Sequence, residues 1–158
     1  MNAAELQAFR RLLFYSAAEA ARYLAADEER PQGVEERTWN RWESGKVPVP
    51  ENIAATVRAA VAYRRQAIEA ASNAIAAAQA NAGDEPATQL VLLWYAERDD
   101  CPEPPLLWRP QQSALAAVLA EPDVDLVALE RDKLHREVGR TLHLLPGESA
   151  STAPTQSR

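Results

Sequence analysis

The sequence predicts a mostly α-helical protein: an N-terminal bundle of four to five helices, a small α+β segment of two strands and one helix, and a disordered tail. Three observations carry that expectation. Alanine, the best helix former, makes up roughly a fifth of the chain, far above ordinary usage, and the 158 residues include only five glycines. Through residues 1–80, apolar side chains recur at three- and four-residue spacing behind helix-capping residues. At residues 81–86 (Asn-Ala-Gly-Asp-Glu-Pro) that pattern stops, and short apolar runs follow. The expected divisions are therefore 1–80, 87–140 and a tail over 141–158.

The first helix is expected over residues 2–14. Asn2 and Glu5 make a capping box, and Leu6, Phe9, Leu12 and Leu13 share a helical spacing. A corner at Phe14-Tyr15-Ser16 leads to a second helix over 16–25, opened by Ser16 and Glu19. Its Ala17, Ala20, Ala21 and Leu24 form a small-residue face that lets another helix come close. Residues 27–33, polar with Pro31 and Gly33, read as a loop. A third helix over 35–44 stops at Gly45, and Val47-Pro48-Val49-Pro50 prevents its continuation. The fourth helix extends to about residue 80 on a narrow stripe of Val57, Val61, Ile68 and Ile75. Arg64 interrupts that stripe, which predicts one break in the helix. Beyond the linker, 90–95 and 124–129 read as strands around a helix at 111–120. Two strands and a helix make a poor isolated core, so this half is expected to complete itself with a second copy of the chain.

Composition excludes several classes. The single cysteine, Cys101, allows no internal disulfide framework and no Cys-based zinc site. His135 and His143 lack metal-ligand spacing, and no phosphate loop or nucleophile elbow is present. No enzyme, cofactor or metal is expected. No apolar run approaches bilayer length, and the first 25 residues lack a signal layout, so a cytoplasmic chain without a membrane partner is expected. The net charge of −6 is unevenly spread. Residues 1–80 hold ten cationic and ten acidic side chains, and 81–158 carry the whole excess. A neutral first half can still present a local basic face.

The informative segment is Glu35-Glu36-Arg37-Thr38-Trp39-Asn40-Arg41-Trp42-Glu43-Ser44-Gly45-Lys46. On a helical wheel Trp39 and Trp42 share one side, and Glu36, Arg37, Asn40 and Arg41 share the other. Such a helix is seated by aromatics and offers forked polar groups outward. Arg pairs bidentately with guanine, and Asn both donates to and accepts from adenine. Glu36 either accepts from cytosine or complements the positive end of its helix. Trp42 is either core or a donor to phosphate. Arg10 and Glu43 are suited to locking the first helix to the third. The alternative for the polar side is a merely solvated surface.

Residues 1–46 resemble the helix-turn-helix of phage-repressor-like regulators, whose third helix commonly ends as Arg41-Trp42-Glu43-Ser44-Gly45-Lys46 does here. Glu5-Leu6-Gln7-Ala8, Arg10, residues 16–21, Trp39, Val49-Pro50, Trp94-Tyr95, Trp108-Arg109 and Gln112-Ser113 are similar to YdiL-like proteins and the anti-CRISPR-associated repressors related to them. The resemblance covers residues 2–130. It implies a homodimeric repressor binding an inverted-repeat DNA operator, with RNA binding as an added activity. It also implies base contacts from Glu36, Arg37, Asn40 and Arg41, phosphate contacts from Ser16, Ala17, Ser44 and Lys46, and a buried Arg10–Glu43 ion pair. Leu92, Trp94, Tyr95 and Trp108 are assigned to the dimer interface, with the chain's own core as the alternative. The segment at 26–34 is longer than the usual turn and acidic, so it either folds away from DNA or alters the approach. The competing function is a protein-interaction module, an antitoxin or adaptor, acting through the acidic second half.

Overall fold

The computed structural model describes residues 1–82, 94, 95 and 97–120. Within them are five helices: α1 Ala3–Leu12, α2 Ala17–Tyr23, α3 Glu36–Glu43, α4 Glu51–Ala82 and α5 Pro105–Val118, with a 3₁₀ turn at Arg98–Asp100. Both capping boxes form. Asn2 Oδ1 accepts from Glu5 N at 2.8 Å and Glu5 Oε2 from Asn2 N at 2.7 Å. Ser16 Oγ accepts from Glu19 N at 3.1 Å, and Glu19 Oε2 from Ser16 N at 2.8 Å. The corner between α1 and α2 turns through Phe14 at φ 65°, and α3 ends at Gly45 with φ 71°. Gly45 takes that left-handed conformation without a Cβ penalty; Phe14 does not.

The first core lies where α1, α2, α3 and the start of α4 meet. Leu6, Leu13, Leu24, Trp39 and Val57 are fully buried there, with Ala20 and Ala21 allowing α2 to approach. A second cluster joins Ala71 and Ile75 of α4 to Leu115 and Val118 of α5, with Ile68 and Trp94 packed against it. So the described part of the second half covers its apolar side with α4 of the same chain.

Three expectations need correcting. First, α4 is one helix of 32 residues and does not break. Arg64, the interrupting residue, is half-buried and donates from Nε to Ser113 Oγ of α5 at 2.7 Å. A buried hydroxyl meets the polar position, so the half-buried guanidinium is served without a break in the helix. Second, no strand occurs among the described residues. Trp94 and Tyr95 are not in a strand, while residues 90–93 and the second expected strand at 124–129 lie outside the described residues, as does the expected tail. Third, α5 starts at Pro105, six residues before the expected 111. Proline suits the first helical turn, where its missing N–H leaves nothing unpaired. Pro104 is thus the cap of this helix and Pro105 its first residue.

Pro110, further into α5, has a different consequence. Without an N–H it leaves the carbonyl of Leu106, four residues back, without its helical donor. The Tyr15 hydroxyl donates to that carbonyl at 2.5 Å. The α1–α2 corner and α5 are joined at the point where α5 cannot satisfy itself.

Candidate nucleic-acid interface

The eight residues of α3 separate cleanly by side. Trp39 is fully buried and Trp42 is 4% exposed, their rings edge-to-face with centroids 5.8 Å apart. Glu36, Arg37, Asn40 and Arg41 are all exposed. Together with Ser44 and Lys46 they line an open hollow of about 850 Å³. The lining holds three cations against one carboxylate, so the hollow is locally basic on a chain of net charge −6. Glu36 also lies in the first turn of α3, where its charge complements the positive end of the helix dipole.

Behind this surface α3 is held by a three-donor cluster. Glu43 accepts from Arg10 Nε at 2.5 Å, from Arg10 Nη2 at 3.0 Å and from Trp39 Nε1 at 2.7 Å. Arg10 Nη1 donates in turn to the Tyr15 carbonyl at 2.8 Å. A carboxylate in the last turn of a helix opposes the dipole, so Glu43 is locally disfavoured and depends on these donors. Burial alone would raise its carboxyl, but the bonds from Arg10 and Trp39 hold it below the ordinary carboxylate value. The cluster pins the rotation of α3 about its own axis. That rotation decides which side chains face outward.

The residues expected at phosphates are placed less uniformly. Lys46 is exposed beside the hollow. Ser44 Oγ donates to the Arg41 carbonyl at 3.2 Å, so its hydroxyl has to rotate before it can donate to an anion. Trp42 is core at 4% exposure, and its carbonyl accepts from Gly45 N at 3.1 Å. Ser16 does not offer a free N–H, because the Glu19 carboxylate already occupies it. Ala17 is half-buried in the first turn of α2. Of the residues expected at the dimer interface, Trp108 is 6% exposed within its own chain and donates from Nε1 to the Tyr95 carbonyl at 2.9 Å. It therefore lies in the chain's own core. Trp94 and Tyr95 are half-buried, and Leu92 lies outside the described residues.

The long segment before α3 folds back on α2. Asp27 and Arg30 close it by two backbone bonds at 3.2 Å and by an ion pair at 2.5 Å. Val34 N then donates to the Ala21 carbonyl at 2.9 Å. Gly33, at φ 73°, sits against the end of α2 so tightly that a Cβ would lie 2.2 Å from that same carbonyl oxygen. No residue of the segment lines the hollow. The acidic insertion is folded along α2, clear of the polar side of α3.

The sequence alone did not reveal the part played by Tyr15, Glu19, Arg64, Arg109 and Ser113. Arg109 donates to Glu19 Oε1 from Nε at 2.9 Å and from Nη2 at 2.6 Å. Pro110 carries a usable signal, since a proline inside a helix leaves one carbonyl unserved, but the helix expected from residue 111 excludes it. Among the described residues, no group of three His, Cys, Asp or Glu side chains is placed to hold a metal ion. No described helix is long and apolar enough to cross a membrane.

No curated protein matches the chain. The Aca2/YdiL-like family model, however, matches residues 1–127, and these include α1 to α5 and every residue of the hollow. With four-fifths of its length matched, the chain belongs to the Aca2/YdiL-like family.

Proposed function

We propose that this chain is a sequence-specific DNA-binding transcriptional regulator that represses as a homodimer on an inverted repeat. One observation carries the reading: the outward side of α3, with Arg37, Asn40 and Arg41 exposed and a Trp39–Glu43–Arg10 cluster fixing it from behind. A helix laid in the major groove needs that combination, since bidentate contacts reward groups whose orientation is set beforehand. Family membership is consistent with a regulatory role. The folded-back acidic segment supports the same reading, because it leaves the basic hollow unobstructed. In this reading Glu36, Arg37, Asn40 and Arg41 meet base edges, and Lys46 meets the backbone.

Binding to a duplex from upstream of the chain's own reading frame tests it. Arg37→Ala with Arg41→Ala is expected to weaken binding at least about thirtyfold per half-site, since two bidentate pairs at roughly 1–3 kcal/mol each sum to at least about 2 kcal/mol. Affinity of the wild type is expected to fall steeply as salt rises. Equal binding by the double variant removes α3 from the role. A transcript of the same region, titrated in parallel, decides whether RNA is a second ligand.

A further inference from the structure

We propose that α5 is a strut that sets the position of α2 and α3, and that Arg109 is its positioning residue; this deepens the DNA-binding reading above and rests on it. Three polar ties run from α5 to the α1–α2 region. The Leu106 carbonyl accepts from Tyr15, Arg109 donates to Glu19, and Ser113 Oγ donates to the Leu12 carbonyl while accepting from Arg64. Their spacing of three and four residues puts all three on one side of α5. Leu12 is the last residue of α1, where carbonyls lack helical donors, so Ser113 serves a group that would otherwise be orphaned. Each tie on the N-terminal side falls at an end of α1 or α2, where a small displacement is passed along the whole element.

Arg109 is the most preorganised of the three. Its guanidinium stacks 4.0 Å from the centre of the Trp108 ring, and its Nη1 donates to Gln112 Oε1 at 2.7 Å. Gln112 Nε2 and Trp108 Nε1 both donate to the Tyr95 carbonyl, at 2.6 and 2.9 Å. A guanidinium held on so many sides grips Glu19 in one geometry. Glu19 passes the grip to the first turn of α2 through its other oxygen, on Ser16 N. From there α2 reaches α3 through the Ala20–Ala21 packing and the bond from Val34 to Ala21. Arg109 therefore acts on the recognition surface from α5, without belonging to it.

The charges give this an unusual sign. A carboxylate in a helix laid near DNA repels phosphate, so deleting it as a charge tightens binding. Deleting it as a link loosens binding. Glu19→Gln separates the two, because glutamine keeps the capping box but loses the charge-assisted pair. The experiment uses full-length wild type, Glu19→Gln, Arg109→Ala and the double variant. Each is titrated with the upstream duplex over a salt series, and amide hydrogen exchange is measured without DNA.

Both single variants are expected to bind about tenfold more weakly, within the usual span of coupling energies, with the wild-type salt slope. The double variant is expected to be no worse than either single one, since both remove the same link. Exchange in α2 and α3 is expected to rise while the middle of α4 keeps its protection. A slope lower by about one in Arg109→Ala makes Arg109 a phosphate contact and overturns the strut. Tighter binding by Glu19→Gln, or unchanged exchange in α3, overturns it as well. A wild type that binds no duplex removes the DNA reading alone, and the exchange measurement then decides the strut by itself.

Discussion

Glu43→Gln is the sharpest probe of how this fold orients α3. In the native cluster one carboxylate oxygen accepts from both Arg10 Nε and Trp39 Nε1, and the other accepts from Arg10 Nη2. An amide retains one acceptor and turns its NH₂ toward the Arg10 fork, donor against donor. The side chains are 13% and 7% exposed, so water replaces little of what is lost. Removing one partner of a buried pair costs about 3–5 kcal/mol. Arg10 keeps its bond to the Tyr15 carbonyl, which favours the lower end. About 3 kcal/mol corresponds to a fall in Tm on the order of 10 °C. Urea and thermal unfolding of the full chain measure it. A companion variant, Arg10→Met with Glu43→Leu, removes both charges and is expected to regain part of the loss, though Trp39 still lacks its acceptor. A Glu43→Gln loss below about 1 kcal/mol would refute the idea that the cluster holds α3 in place.

Other outcomes follow from single observations. Gly33→Ala forces a Cβ into the Ala21 carbonyl at a left-handed φ; a loss above about 1 kcal/mol is expected, and a neutral result by denaturant midpoint contradicts the folded-back segment. Glu19 and Glu43 are both held below the ordinary 4.5, burial opposing and their arginine partners prevailing. A depressed carboxylate stabilises the fold above its unfolded value and stops doing so as pH falls through its folded value. The urea midpoint is therefore expected to drop on acidification below about 4.5, and to drop less in Glu43→Gln. A midpoint that is flat in that range, or rises, rules out these pairs as stabilising contacts.

Local features of the chain were readable because they depend on neighbours a few residues away. The caps at Asn2 and Ser16, the stop at Gly45 and the two-sided character of α3 follow from short-range sterics and helical geometry. Even the Arg10–Glu43 pair is suggested by residue type, although its third donor, Trp39, is not. Arg64 marks the opposite case. As a charge in an apolar stripe it predicts a break, and the helix runs on because Ser113, 49 positions later, meets it with a hydroxyl. The prolines at the start of α5 are ambiguous in the same way, since proline both ends helices and begins them.

Short-range chemistry supplies the list of surfaces: a helix with indoles on one side and cationic, amide-bearing groups on the other, between capped neighbours. How those surfaces are held depends on contacts between distant parts of the chain. Glu19 is half of a cap until α5 brings Arg109 to it, and Tyr15 is a corner residue until Pro110 leaves a carbonyl for its hydroxyl. Partners some ninety residues apart obey no spacing rule, because the long-range packing of α5 on α4 creates their nearness.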